Sequence, residues 1–291
     1  MLGYSGFRAG AGVAVRHRLL PLSFATVIVD IDAGFGLVTG ARQVATVDGA
    51  TAWGHGVTVG LTPGGVSALL GLPMRELTGT AVALSDVVGS RGAELVERLS
   101  AASSWAARFA LLDALLTRWT APRHPPDPAI TEAWRRLQRG VARPPDQLIA
   151  EAGGRLQGGV GRPPDRLIAQ AGGRLRCGGC RPPDPLVVAA WWRLQRGAGR
   201  VDAVARELGV SRRYLQEGFR RQIGLAPAAV ARVARLQRAV QRLSRGSALQ
   251  AAAVDSGYAD QPHLTRSMRA MAGLTPGELR AFVQYPAPAG T

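Results

Sequence analysis

The chain contains no lysine and no asparagine, so its 36 strong cations are all arginine. That absence points to a GC-rich coding sequence that raises arginine everywhere, and charge by itself is therefore a weak guide to function. Only two cysteines occur among 291 residues, too few for a disulfide scaffold, and an intracellular protein is expected. No run of about 18 apolar residues appears, so no membrane span is expected. Met1 to Gly12 contain Arg8 and no apolar core of signal-peptide length. Aromatic residues are few. No paired carboxylates, metal-ligand cluster or nucleophile–base arrangement stands out, so neither an enzyme nor a cofactor is expected.

What is present is length and an uneven charge. The chain is long enough for two domains with separate cores. Residues 1–120 carry nine Arg against eight acids, residues 121–199 thirteen against six, and residues 200–291 fourteen against six. The amino-terminal part is nearly neutral, and almost all of the net +16 lies beyond it. A pI near 11.5 favours a polyanionic partner, with double-stranded DNA the first candidate.

Phe24 to Asp32 is β-branched and partly alternating, a strand. Further short strands are expected at 37–39, 42–47 and 57–61, punctuated by glycines. Short helical pieces follow at 66–70, 74–77 and from Ser85. Gly92 to Leu99 and Trp105 to Trp119 read as amphipathic helices, the second with Phe109, Leu112, Leu115, Leu116 and Trp119 on one face. Residues 1–120 thus predict a small β-rich domain closed by helices, with a sensory or dimerising role. His55, between two glycines, is read as a loop or core histidine before it is read as an effector contact.

A 19-residue unit then occurs four times without slippage. Pro-Pro-Asp starts at Pro125, Pro144, Pro163 and Pro182, and Arg-Leu follows eleven residues later at Arg136, Arg155, Arg174 and Arg193. Each Asp can cap a short helix, with proline tolerated in the first turn. The first and fourth copies keep tryptophans at 134 and at 191–192, where the middle copies have Gly-Gly. Two interior glycines cost a helix roughly 2 kcal/mol against alanine. Tandem duplication of a helix-plus-linker unit explains the pattern better than a helical repeat with its own binding face. Residues 121–199 are accordingly expected to act as a linker. Cys177-Gly-Gly-Cys180 has no second pair, so no metal site is expected there.

The last third repeats one scheme twice. Ala205-x-x-x-Gly209-x-Ser211, Leu215, Phe219 and Gly224-x-x-Pro227 are answered by Ala253-x-x-x-Gly257, Leu264, Met268 and Gly273-x-x-Pro276. Small residues suit a close helix crossing, Gly the turn and Ser211 an N-cap. With Leu215 and Phe219 facing a core, the same helix presents Arg212, Arg213, Gln216, Glu217 and Arg220. In the second unit, with Asp260 as cap, Leu264 and Met268 leave Gln261, His263, Thr265, Arg266 and Arg269. Such side chains can read base edges in a major groove. Ala228 to Leu243 predicts a joining helix of about 24 Å. This is a rod that can hold two reading helices about one DNA turn, 34 Å, apart.

These residues resemble the AraC/XylS family of bacterial transcription regulators. The resemblance implies two helix-turn-helix subdomains on a linker helix, with base readers at Arg213, Gln216, Glu217, His263 and Arg266. Gly218 departs from the apolar residue usual before Phe219 and is expected to loosen the first recognition helix. Gly60-Leu-Thr-Pro-Gly-Gly65, Leu69-Leu-Gly-Leu-Pro73 and Glu76-Leu77 resemble the domain found ahead of AraC-type units in actinobacterial regulators.

The expected fold is therefore α+β. It comprises a β-rich domain at 1–120, a repeat linker at 121–199, an all-α DNA-binding domain at 200–283 and a tail at 284–291. The expected function is a sequence-specific transcription regulator in the cytoplasm, at the nucleoid. Its expected partners are an unknown small-molecule effector at the amino-terminal domain and RNA polymerase. Two alternatives stand beside it. One is a DNA-repair alkyl transferase fused to this reader; its activated cysteine would have to be Cys177 or Cys180. The other is an interaction module built on the repeats. Deleting residues 143–199 separates the last from the regulator: DNA recognition in a gel shift should survive the deletion, and its loss would favour the repeats as the working part.

Overall fold

The computed structural model describes residues 2–8, 18–47, 54–120, 182–197 and 199–279. The amino-terminal half is an antiparallel sheet covered by helices. Its five strands are β1 (Gly3–Arg8), β3 (Ala25–Asp30), β4 (Phe35–Thr39), β6 (His55–Leu61) and β7 (Ala81–Ala83), in the order β1-β6-β3-β4-β7. A separate ribbon pairs β2 (Arg18–Leu19) with β5 (Thr46–Val47).

β3 is buried along its whole length, because strands flank it on both sides and apolar Val27 and Val29 lie opposite Val59 and Val57 of β6. Asp30 closes the strand. Its fully buried carboxylate accepts the backbone N–H of Ala33 at 2.9 Å and of Gly54 at 3.0 Å, which ties two loops to one end of the sheet.

The sheet is covered by α1 (Pro63–Leu70), a 3-10 turn (Met74–Leu77), α2 (Leu84–Val88), α3 (Ser90–Ala101) and α4 (Trp105–Thr120). Thr62 caps α1 by accepting from Gly65 N–H at 3.0 Å, and Pro63 supplies the first turn. The expected apolar face of α4 is the face that packs: Leu112, Leu115 and Leu116 are buried, and Phe109 and Trp119 border the core.

Two sequence expectations change. The strand expected over 42–47 survives only as Thr46–Val47 and a single bridge between Leu22 and Arg42. β1 was not legible because Gly3 and Gly6 dilute its pattern. Gly6 is nevertheless required, since the ring of Trp105 fills the space a Cβ would take.

The carboxy-terminal half is all helical among the described residues: α5 (Pro185–Gln195), α6 (Val201–Glu207), α7 (Arg212–Gln222), α8 (Pro227–Ser244), α9 (Leu249–Asp255) and α10 (Gln261–Ala272). α5 is the fourth copy of the 19-residue unit, and Asp184 caps it as expected, accepting from Leu186 N–H at 2.9 Å. Its packing is not what a linker would show. Trp191 is wholly buried, and Val187, Ala190 and Leu194 lie in one cluster with the sheet domain, Leu215 and Phe219 of α7, and Val230 of α8. The first three copies lie outside the described residues, as do Cys177 and Cys180.

Gly218 also reads differently in three dimensions. It is buried within α7, and a Cβ there would overlap Val187 of α5. The glycine lets two helices touch. Gly218→Val is therefore expected to cost about 1–3 kcal/mol by overpacking. Adding Val187→Ala should recover part of that loss, read from chemical denaturation midpoints. A stabilised Gly218→Val chain would show that this contact is not tight.

Candidate nucleic-acid interface

Each carboxy-terminal subdomain is a short helix, a glycine turn and a capped second helix. In the first, Gly209 takes φ +67°, a left-handed conformation that costs glycine nothing, and the chain reverses from α6 into α7. Ser211 then caps α7, accepting Tyr214 N–H at 3.0 Å. Gly257, at φ +86°, and Asp260 do the same for α10, with Asp260 accepting His263 N–H at 2.7 Å. Both sites of capping were legible in the sequence because cap and turn chemistry is local.

Leu215 and Phe219 are fully buried, and so are Leu264 and Met268. Helical periodicity then forces the opposite faces outward. Arg212, Arg213, Gln216, Glu217 and Arg220 are all exposed on α7, and Gln261, Arg266 and Arg269 on α10. His263 and Thr265 are half-buried. His263 is also engaged: its Nδ1 accepts Ala259 N–H at 3.4 Å, and its ring meets Tyr258 edge-on at 5.2 Å.

The exposed arginines of α7 have local partners. Arg213 Nε donates to Glu217 at 2.8 Å, one turn along the helix, and Arg212 meets Asp202 of α6 at 3.2 Å. Exposed pairs of this kind contribute about 0–1 kcal/mol, so a phosphate or a base edge can displace them at little cost.

Residues outside the expected set also shape the site. Tyr214 donates its hydroxyl to the Asp184 carboxylate, linking α7 to the cap of α5. That hydrogen bond, with burial and the carboxylate charge adding to it, holds the phenol above its ordinary pKa. On α8, Arg235 lies over the Tyr258 ring at 4.8 Å, and Arg242 pairs with Asp255 at 2.8 Å, which fastens the second subdomain to the rod. Arg200, which precedes α6, and Arg206 on α6 are exposed. The sequence signal for these residues was charge alone, which does not say which arginines hold the fold and which face outward.

α8 itself has 18 residues, or about 27 Å. Val230, Val233, Leu236, Val240 and Leu243 are its buried face, as its periodicity predicted. The first two belong to different clusters: Val230 to the one shared with the sheet domain, Val233 to the core of the second subdomain. Among the described residues, no group of three or more His, Cys, Asp or Glu could hold a metal ion, and no helix is long and apolar enough to cross a membrane.

Residues 204–281 match the family model described as a helix-turn-helix domain. No curated protein matches the chain by sequence. Among solved structures, the C-terminal domain of AraT, a response regulator from Geobacillus stearothermophilus, aligns at 20% identity and a TM-score of 0.35, over 38% of this chain and 95% of its own. Apo ToxT from Vibrio cholerae aligns at 10% identity and a TM-score of 0.40, over 97% of this chain and 94% of its own. ToxT bound to an unsaturated fatty acid aligns at 9% and 0.40, over 99% and 97%. At these scores the superpositions are loose, and the assignment rests on the domain match and on the paired, capped helices.

The two caps give a direct check on that geometry. Ser211→Ala and Asp260→Ala should each cost about 1 kcal/mol. The losses should add in the double variant, because the two caps serve different subdomains. Thermal melts of the single and double variants measure this. Residues 204–281 of this chain form a helix-turn-helix domain.

Proposed function

We propose that this chain is a sequence-specific DNA-binding transcription regulator that sets α7 and α10 into two adjacent major grooves on one face of the duplex. One observation carries the reading. Two capped helices expose arginine- and glutamine-bearing faces at the two ends of an 18-residue rod whose other face is buried. Arg213, Gln216 and Glu217 are the proposed base readers of α7, and Arg266 that of α10. His263 contributes from a fixed position beside Tyr258. Arg212, Arg220, Gln261, Thr265 and Arg269 complete the surface against bases and phosphates. The net charge of +16 supplies attraction that weakens with salt.

The sheet domain is proposed to be the regulatory part. Its contacts support this, because they reach the carboxyl ends of both recognition helices. Arg75 donates to the Arg221 carbonyl at 2.8 Å and Thr78 to the Ile223 carbonyl at 2.8 Å. At the other helix, Ala45 N–H donates to the Met271 carbonyl at 2.7 Å. Carbonyls at a helix end lack partners within the helix, so these donors satisfy them and tie the sheet domain to both readers. A small molecule or a second copy bound to the sheet domain would act through these contacts. The fourth 19-residue copy is assigned to the DNA-binding unit, and the preceding copies to the linker. The polymerase partner and the nucleoid location follow from this function.

Arg213→Ala should lower affinity for the cognate site by about 1–3 kcal/mol and relax preference at one base position, while Arg206→Ala should weaken all sequences alike. Genome-wide binding sites supply the cognate sequence, and salt-matched gel shifts the affinities. Equal affinity of the parent chain for cognate and scrambled duplexes would sink the proposal.

A further inference from the structure

The 19-residue copies are not explained by DNA reading, yet one of them is a built-in part of the reader. α5 sits in a slot formed by α7 and the loop before β3. Tyr214 of α7 donates to the Asp184 cap. Gly218 of α7 admits Val187. The loop before β3 receives two donors from α5 at Ser23: Trp191 Nε1–H reaches the Ser23 carbonyl at 2.9 Å, and the Gln195 amide reaches the Ser23 hydroxyl. The slot therefore selects a capping Asp, a β-branched residue three positions on, a Trp seven on and a Gln eleven on.

The first copy meets this specification. Counting back 57 residues, Asp127 stands for Asp184, Ile130 for Val187, Ala133 for Ala190, Trp134 for Trp191, Leu137 for Leu194 and Gln138 for Gln195. The second and third copies do not, because Gly153 and Gly172 stand where the Trp is needed. The first copy is imperfect at two buried places: Thr131 replaces Val188, which is 5% exposed, and Glu132 replaces Ala189, which is 6% exposed.

We propose that the α5 slot is a binding site for the first copy as well as the fourth, so that residues 125–140 of the same chain fill it when α5 is displaced or impaired. The exchange changes the tether. With α5 in place, 63 residues separate Thr120 from the capping aspartate; with the first copy in place, six do. Either copy in the slot joins the sheet domain to α7, and the exchange moves the two glycine-bearing copies from one side of the docked helix to the other.

The test uses the full chain and four variants: Trp134→Gly, Trp191→Gly, the two combined, and Trp191→Gly with Glu132→Ala. Glycine is the residue that the middle copies carry at this place. Melting by circular dichroism and mass by light scattering are read together. Trp134→Gly should melt with the parent. Trp191→Gly should keep one cooperative transition and the mass of the parent, and the double variant should melt on the order of 10 °C lower still. Glu132→Ala should raise the Tm of the Trp191→Gly chain, an effect that an undocked segment would not produce. The proposal is overturned if Trp191→Gly and the double variant melt together, if Glu132→Ala leaves the Tm unmoved, or if Trp191→Gly doubles the parent's mass.

A shortened chain gives a second reading. Deleting residues 143–199 brings the first copy up to Arg200 in the register of the fourth. This chain should stay folded, and the same deletion with Trp134→Gly should not. Equal behaviour of the two, folded or unfolded, overturns the assignment.

Discussion

The buried indole of Trp191 is the contact on which the arrangement of this protein depends. Its ring lies in the cluster shared by the sheet domain, α7 and α8, and its N–H reaches the Ser23 carbonyl. Burying an indole N–H without an acceptor is costly, and here the acceptor comes from the other half of the molecule. The same contact thus satisfies a buried polar group and joins two domains. Ser23 extends the junction, since its hydroxyl also donates to Gln237 of α8 at 3.0 Å.

Around that junction the DNA-binding unit is asymmetric. The first subdomain shares its core with the sheet domain, whereas the second has a core of its own, with Leu20 of the sheet domain at its edge. α8 passes through both cores and couples them. The sheet domain adds hydrogen bonds at the carboxyl end of each recognition helix, and a side-chain bond from Arg232 of α8 to Gln43 at 2.9 Å. The orientation of the two readers is consequently a property of the whole described chain rather than of the rod alone.

Much of the site was legible because its determinants are local. Ser211 and Asp260 cap helices whatever surrounds them, Gly209 and Gly257 turn the chain, and the four-residue spacing of Leu215 and Phe219 decides which face of α7 is exposed. The helices over the sheet were legible for the same reason, through the periodicity of Leu112, Leu115 and Leu116. Strands fared less well. β1 pairs with β6, more than 45 residues away in sequence, and its Gly6 answers to Trp105 rather than to any local pattern.

The sequence by itself determined the two helix-turn-helix units, their caps, their outward faces and the rod between them, since each follows from periodicity and turn chemistry within a few residues. Only the tertiary structure decided what Gly218, Trp191 and the fourth 19-residue copy pack against. Gly218 is defined by Val187, which stands against it, and the fourth copy by the contact of Trp191 with Ser23. The physical reason is the same in both cases. A close approach or a buried donor is defined by its partner, and each of these partners lies on another element of the fold.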